Sequence, residues 1–133
     1  MIKENFIKLF EDGFKYNWDL PAMTNYGEEE TLKYRDVAQE IAKLHIVFEN
    51  IGIKENDKVA LIGKNSSNWA IAYLASVTYG TVIVPILQDF NPNDIQHIIN
   101  HSECSEESIF IFFFVFPKSL LFLHRIIKSV QYD

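Results

Sequence analysis

Residues 58–86 read KVALIGKNSSNWAIAYLASVTYGTVIVPI, and the fold is decided here. Lys58 to Gly63 is a short, nearly continuous apolar run. Such a run suits a strand covered on both faces of a parallel sheet. Ser66 or Ser67 then offers a helix N-cap, since a hydroxyl at that point accepts from a first-turn N–H that has no partner inside the helix. The helix carries Trp69, Ala70, Tyr73, Leu74 and Val77 and stops at Gly80. Thr81 to Ile86 is a second buried strand, closed by Pro85. Strand, helix and strand at this spacing predict a right-handed crossover between parallel neighbours.

The pattern extends in both directions. Downstream, Asn91 caps another helix and Pro92 takes its first position, where a missing N–H costs nothing. Ile95, Ile98 and Ile99 form its apolar face. Upstream, Val37, Ala38, Ile41, Leu44, Phe48 and Ile51 recur every three or four positions, the mark of an amphipathic helix of about four to five turns ended by Gly52. Before it, Trp18 to Tyr26 reads as a loop leading into a short strand. Gly27–Glu29 is a turn and Glu30 to Tyr34 a second short strand, so the two form a hairpin. Residues 2–16 place Ile2, Phe6, Leu9, Phe10 and Phe14 on one helical stripe. The fold class expected is α/β, a partial parallel sheet with flanking helices.

The 133 residues suffice for one domain with a modest core. With 48% apolar and 23% charged residues the composition is that of a globular chain. A net charge of −6 leaves no basic stripe to neutralise phosphates, which argues against a nucleic-acid partner. The single cysteine, Cys104, forms no internal disulfide and fits a reducing cytoplasm. Glu4, Glu11 and Asp12 interrupt the N-terminus, so it is no secretory signal. Charge shifts abruptly near Ser105–Ser108. Residues 1–107 hold 9 Lys/Arg against 17 Asp/Glu, whereas 108–133 hold 3 against 1 and take 6 of the 11 phenylalanines. A boundary is therefore expected, with 1–107 as one unit and 108–133 as a divergent Phe-rich tail.

Four pieces of the sequence resemble the AMP-binding, adenylate-forming family, closest to its long-chain fatty acid–CoA ligases. Thr31-Leu32-Lys33-Tyr34-Arg35-Asp36-Val37 is similar to the family's T-Y-x-E-L entry motif. Gly52 to Leu61 (GIKENDKVAL) resembles G-I-x-x-G-D-x-V-A-I. Asn65 to Ala75 (NSSNWAIAYLA) resembles N-x-x-x-W-x-x-A-Y-L-A, and Gly80 to Pro85 (GTVIVP) resembles G-A-V-x-V-P. Each piece alone is weak, but four in order with family-like spacing are specific. Asn56 departs from the usual glycine, and asparagine is the next most tolerant residue of a positive φ. The resemblance implies the start of the large N-terminal domain of an enzyme that joins a carboxylate to ATP and then passes the acyl group to coenzyme A.

The resemblance also implies parts that this sequence does not carry. No segment resembles the Gly/Ser/Thr-rich loop whose backbone N–H groups, hydroxyls and lysine hold the triphosphate. The adenine- and ribose-binding motifs, the Mg²⁺-binding glutamate and the C-terminal catalytic lysine have no counterpart. So no catalytic, cofactor-binding or metal residue is assigned, and ATP, Mg²⁺ and coenzyme A belong to the family's whole enzyme. The match holds through His101-Ser102-Glu103 and gives way to IFIFFFVFPKSLLFL. A shifted reading frame or premature stop is the expectation, and the chain reads as a truncated ligase, inactive alone.

Sharper readings compete with plain ones at several residues. Gly63-Lys64-Asn65-Ser66 resembles the end of a phosphate loop, but the glycine required five positions earlier is Lys58; a strand-to-helix turn is favoured. His97 and His101 lie four apart with Glu103 and Cys104 nearby, a spacing that can share a metal; polar-face residues are favoured. Cys104 has no base partner at a defined spacing. Glu28-Glu29-Glu30 reads as a solvated turn, and Asp57, Asp89 and Asp94 as turn and cap residues. Ile109–Leu123 is shorter than the roughly 20 apolar residues a membrane span needs. Ile109–Phe116 forms a strand on one reading, with a helix over Leu120–Val130 after it. The alternative function is a small non-enzymatic protein whose tail contacts a membrane or a partner.

Overall fold

A computed structural model of the protein describes residues 5–104. Ile2 and the whole tail, with the strand, helix, boundary and membrane contact expected there, lie outside the described residues. The order is α1 (Phe6–Tyr16), β1 (Pro21–Thr24), β2 (Thr31–Lys33), α2 (Tyr34–Asn50), β3 (Lys58–Gly63), α3 (Ser67–Tyr79), β4 (Val82–Leu87) and α4 (Pro92–Ser102). β1 and β2 pair antiparallel as the expected hairpin. β3 and β4 pair in parallel, from Lys58 opposite Val82 to Gly63 opposite Leu87. The architecture is α/β, as the sequence predicts.

Helices cover the two faces of the β3–β4 pair with different side chains, because successive strand residues point to opposite faces. Val59, Leu61 and Ile83 meet Ala72 and Ala75 of α3 together with Phe48 of α2. Ala60, Ile62, Val84 and Ile86 meet Ile95 and Ile99 of α4. A third cluster sits above α3, where Ile71 and Leu74 meet Val37 of α2, Phe10 and Phe14 of α1, and Leu32 of the hairpin. α3 is thus gripped from two sides. Of the expected residues Leu74 is buried, but Trp69, Ala70, Tyr73 and Val77 are only half-buried, and Ile71, Ala72 and Ala75 are buried beside Leu74. The helix is apolar nearly all round, so periodicity alone did not select its inner face.

Helix ends follow local chemistry. At the end of α2 the Ile53 N–H donates to Phe48 O (2.9 Å) and the Gly52 N–H to Glu49 O (3.1 Å), with Gly52 at φ 85°. α3 repeats the motif with Gly80 at φ 90°, Thr81 N donating to Ser76 O and Gly80 N to Val77 O. Either turn needs a left-handed residue, which glycine supplies without a Cβ clash. Gly80 has a second reason: a Cβ there would stand 3.0 Å from Glu55 Cγ. α4 ends the same way with Glu103 at φ 57°.

Four expectations need correction. Tyr34 opens α2 rather than ending β2. The Asp36 carboxylate accepts from Lys33 N (2.9 Å), closing the helix start, and the Tyr34 ring packs edge-on against Phe14 (5.2 Å). Leu9 is exposed, as is Phe6; only Phe10 and Phe14 of the α1 stripe reach the core. β4 runs through Pro85 to Leu87 instead of closing at Pro85, since an edge strand tolerates a missing N–H. Nor is β4 buried: among its residues only Ile86 is, and Val82, Pro85 and Leu87 are exposed.

Candidate functional site

The β3–α3 turn is the place where the sequence offers a phosphate-loop reading. Ser66, not Ser67, is the N-cap: its Oγ accepts from Trp69 N at 3.2 Å. Ser67 is held from outside the helix. Its N–H and its Oγ–H both donate to Asn25 Oδ1, at 2.7 and 3.0 Å. Asn25 belongs to the hairpin turn, so one side-chain amide ties β1 to the start of α3. The N–H that a phosphate would seek at Ser67 is already taken. Lys64 and Asn65 are exposed. The geometry is that of a structural strand-to-helix turn.

The β2-to-α3 scaffold rests on a second turn. Asn56 adopts φ 70°, the left-handed conformation that the departure from glycine implied. Its N–H donates to Gly80 O (2.9 Å), and Asp57 Oδ2 accepts from Lys54 N (2.7 Å). The turn before β3 is therefore clamped to the end of α3, and Val82 N donates to Asp57 O as β4 begins.

The remaining candidates take plain positions. His97 and His101 are exposed, with rings stacked at 6.0 Å on the outer face of α4. Among the described residues no group of three or more His, Cys, Asp and Glu side chains is placed to hold a metal ion. Cys104 is half-buried against the Ile95–Ile99 cluster, its Sγ 3.2 Å from Ser102 Oγ. Glu28, Glu29 and Glu30 are exposed. Asp94 receives a hydrogen bond from Asn91 Nδ2, while Asn91 Oδ1 accepts from Asp94 N (3.0 Å). Asp89 lies in the turn after β4. Glu103 accepts from Lys58 Nζ at 3.0 Å, and that hydrogen bond, reinforced by the ammonium charge, holds its carboxyl below the ordinary glutamate value.

Two of the concavities among the described residues border α2. One, of about 680 Å³, lies between the hairpin, α2 and α3, with Glu28, Glu30, Glu40 and Lys43 on its rim. The other, of about 350 Å³, is an apolar groove lined by Ile7, Phe10, Phe14, Trp18, Ile41 and Leu74. At its floor His45 Nε2 lies 2.9 Å from Ala75 O and 3.0 Å from Thr78 Oγ1, joining α2 to α3. Neither His45 nor Asn25 is visible as a tether in the sequence, because each acts across more than 25 residues.

The AMP-binding enzyme family matches residues 10–109, three quarters of the chain. The chain belongs to the AMP-binding enzyme family. Within the family, long chain acyl-CoA synthetase 3 of Arabidopsis thaliana is 30% identical over 100 residues, covering 71% of this chain and 15% of that protein. A long-chain-fatty-acid–CoA ligase of Salmonella typhimurium is 24% identical over 99 residues, covering 74% and 18%. The probable CoA ligase CCL6 of Humulus lupulus is 28% identical over 74 residues, covering 56% and 11%. The chain thus spans less than a fifth of the length of these relatives. Its fold is similar to part of the NpsA N-terminal subdomain of Klebsiella oxytoca (TM-score 0.68, 21% identity, 74% of this chain and 26% of that one). A mutant coronafacic acid ligase of Pectobacterium brasiliense is similarly close (TM-score 0.70, 17% identity, 76% and 20%). The AMP-binding resemblance thus holds, and the residues matched build scaffold: strand, cap and turn.

Proposed function

We propose that this chain is the N-terminal portion of an ATP-dependent, AMP-forming long-chain fatty acid–CoA ligase, and that it forms no acyl-adenylate alone. The observation that carries the reading is the role of the family-like residues. Asp36 closes a helix start, Asn56 makes a left-handed turn, Ser66 caps a helix and Gly80 ends one. Each motif serves the fold and leaves ATP, Mg²⁺ and coenzyme A to segments further along the family's enzymes. The long-chain fatty acid class is supported by the names of the relatives. A cytoplasmic setting fits the single cysteine. Among the described residues no helix is long and apolar enough to cross a membrane.

Calorimetric titration of the purified chain with Mg²⁺–ATP tests the reading. No saturable heat is expected, and a saturating isotherm would overturn it. Co-sedimentation with phosphatidylcholine vesicles addresses the competing reading of a non-enzymatic, tail-docking protein. The folded chain is expected in the supernatant; pelleting that depends on residues 108–133 would favour the tail.

A further inference from the structure

The β1–β2 hairpin divides into a base that is packed and a tip that is not. At the base, Met23 and Leu32 enter the cluster around Val37 and Leu74. Tyr34 N donates to Leu20 O (3.2 Å) and Arg35 N to Trp18 O (3.0 Å), and Arg35 pairs with Asp19 at 2.7 Å. Beyond Met23 and Leu32 the tip, residues 24–31, puts no side chain into the core clusters. Tyr26 and Glu28 to Glu30 are exposed, and a Cβ at Gly27 would meet nothing within 4 Å.

The tip holds itself together. The Thr24 and Thr31 hydroxyls lie 2.7 Å apart, and Glu28 N donates to Asn25 O (3.1 Å). Asn25 Nδ2 donates to Glu28 Oε2 (2.8 Å), which turns Oδ1 toward Ser67. There Oδ1 accepts from Ser67 N and Oγ at 2.7 and 3.0 Å. Among the described residues no other hydrogen bond and no ion pair joins the tip to the helices.

Open space lies on both sides of that tether. The cavity of about 680 Å³ and another of about 410 Å³, between β1 and the β3–α3 turn, are both lined by Asn25 and Ser67. The amide stands as a post between them. Segments with few buried apolar contacts open at a cost well below that of global unfolding. Glu28 and Glu30 share the larger cavity with Glu40, and like charges favour separation once the post is gone.

We propose that residues 24–31 form a flap hinged at Met23 and Leu32 and latched by Asn25. When the latch opens, the flap swings as a unit away from α3, joins the two cavities and uncovers the Ser67 N–H and hydroxyl. With the latch closed Ser67 is 9% exposed. The proposal stands apart from the ligase reading, since it uses only the contacts of the hairpin.

Spin labels on Tyr26→Cys and Gln39→Cys, in the full chain carrying Cys104→Ser, report the distance between the tip and α2. Asn25→Ala removes the latch from the tip. Ser67→Pro removes both donors from α3, at the first helical position, where proline is well tolerated. Each variant is expected to turn one short distance into a distribution with a longer component. Cross-strand nuclear Overhauser contacts between Thr24 and Thr31 should persist, because the flap moves whole. In Asn25→Ala the Ser67 amide should exchange with solvent about tenfold faster. The Trp69 amide, capped by Ser66, should keep its rate. An unchanged distance in both variants would overturn the proposal. So would a longer distance that comes with loss of the Thr24–Thr31 contacts, which is hairpin melting, or faster exchange at Trp69 together with Ser67, which is helix fraying. Loss of cooperative melting in both variants would mean that Asn25 holds the core rather than a flap, and would overturn it as well.

Discussion

β3 and β4 are each six residues long, each apolar, and matched residue for residue in one parallel ladder. Only β3 is buried. Its four central residues are closed to water, whereas β4 tolerates a proline in its middle and leaves Val82 and Leu87 exposed. The apolar run records that a strand is wanted; it does not record how deeply the strand is buried.

Substitutions at matched side chains sharpen this contrast. Leu61→Ala in β3 should cost about 3 kcal/mol, while Leu87→Ala in its neighbour should cost less than about 0.5 kcal/mol. Urea denaturation of the two variants measures both, and equal losses would break the contrast. Val59→Ala and Val82→Ala repeat it with a smaller side chain, at about 2 kcal/mol against less than about 0.5 kcal/mol. The turn ahead of β3 gives a third, smaller effect. Asn56→Ala places an unsuited residue at φ 70° and should lower stability by about 1 kcal/mol, with Asn56→Gly at or above wild type. An alanine variant as stable as wild type would mean that the left-handed turn is not formed.

The smallest effect concerns the pair joining β3 to α4. The Glu103 pKa is lowered by Lys58, so the pair stabilises the fold above the ordinary glutamate pKa. That contribution is lost as pH falls through the lowered value. Glu103→Gln should therefore melt slightly below wild type at neutral pH and together with it in acid. Because Glu103 is exposed, the gap should also shrink in salt. A gap that widens in acid would reverse the sign and contradict the assignment.

The order of elements was legible because it is written in local chemistry. Gly52 and Gly80 mark helix ends, Asn91-Pro92 a start, and the apolar runs the parallel pair. What escaped reading depends on distant partners. Tyr34 enters α2 because Asp36 closes the first turn and Phe14 supports the ring, whereas Lys33 gives no cap signal of its own. The inner face of α3 could not be chosen when two sides of the helix are covered. The Asn25–Ser67 tether links residues 42 apart. The plain readings of His97, His101, Glu28–Glu30, Asp57 and Asp94 agree with their exposed or capping positions. Their side chains already serve helix faces and turns.

The central proposal is that this chain, as the N-terminal portion of an AMP-forming ligase, forms no acyl-adenylate alone. ATP–pyrophosphate exchange by the purified chain, with Mg²⁺ and a long-chain fatty acid, tests it most directly. The account predicts exchange no faster than in a protein-free control. Exchange that saturates with both ATP and fatty acid would contradict it.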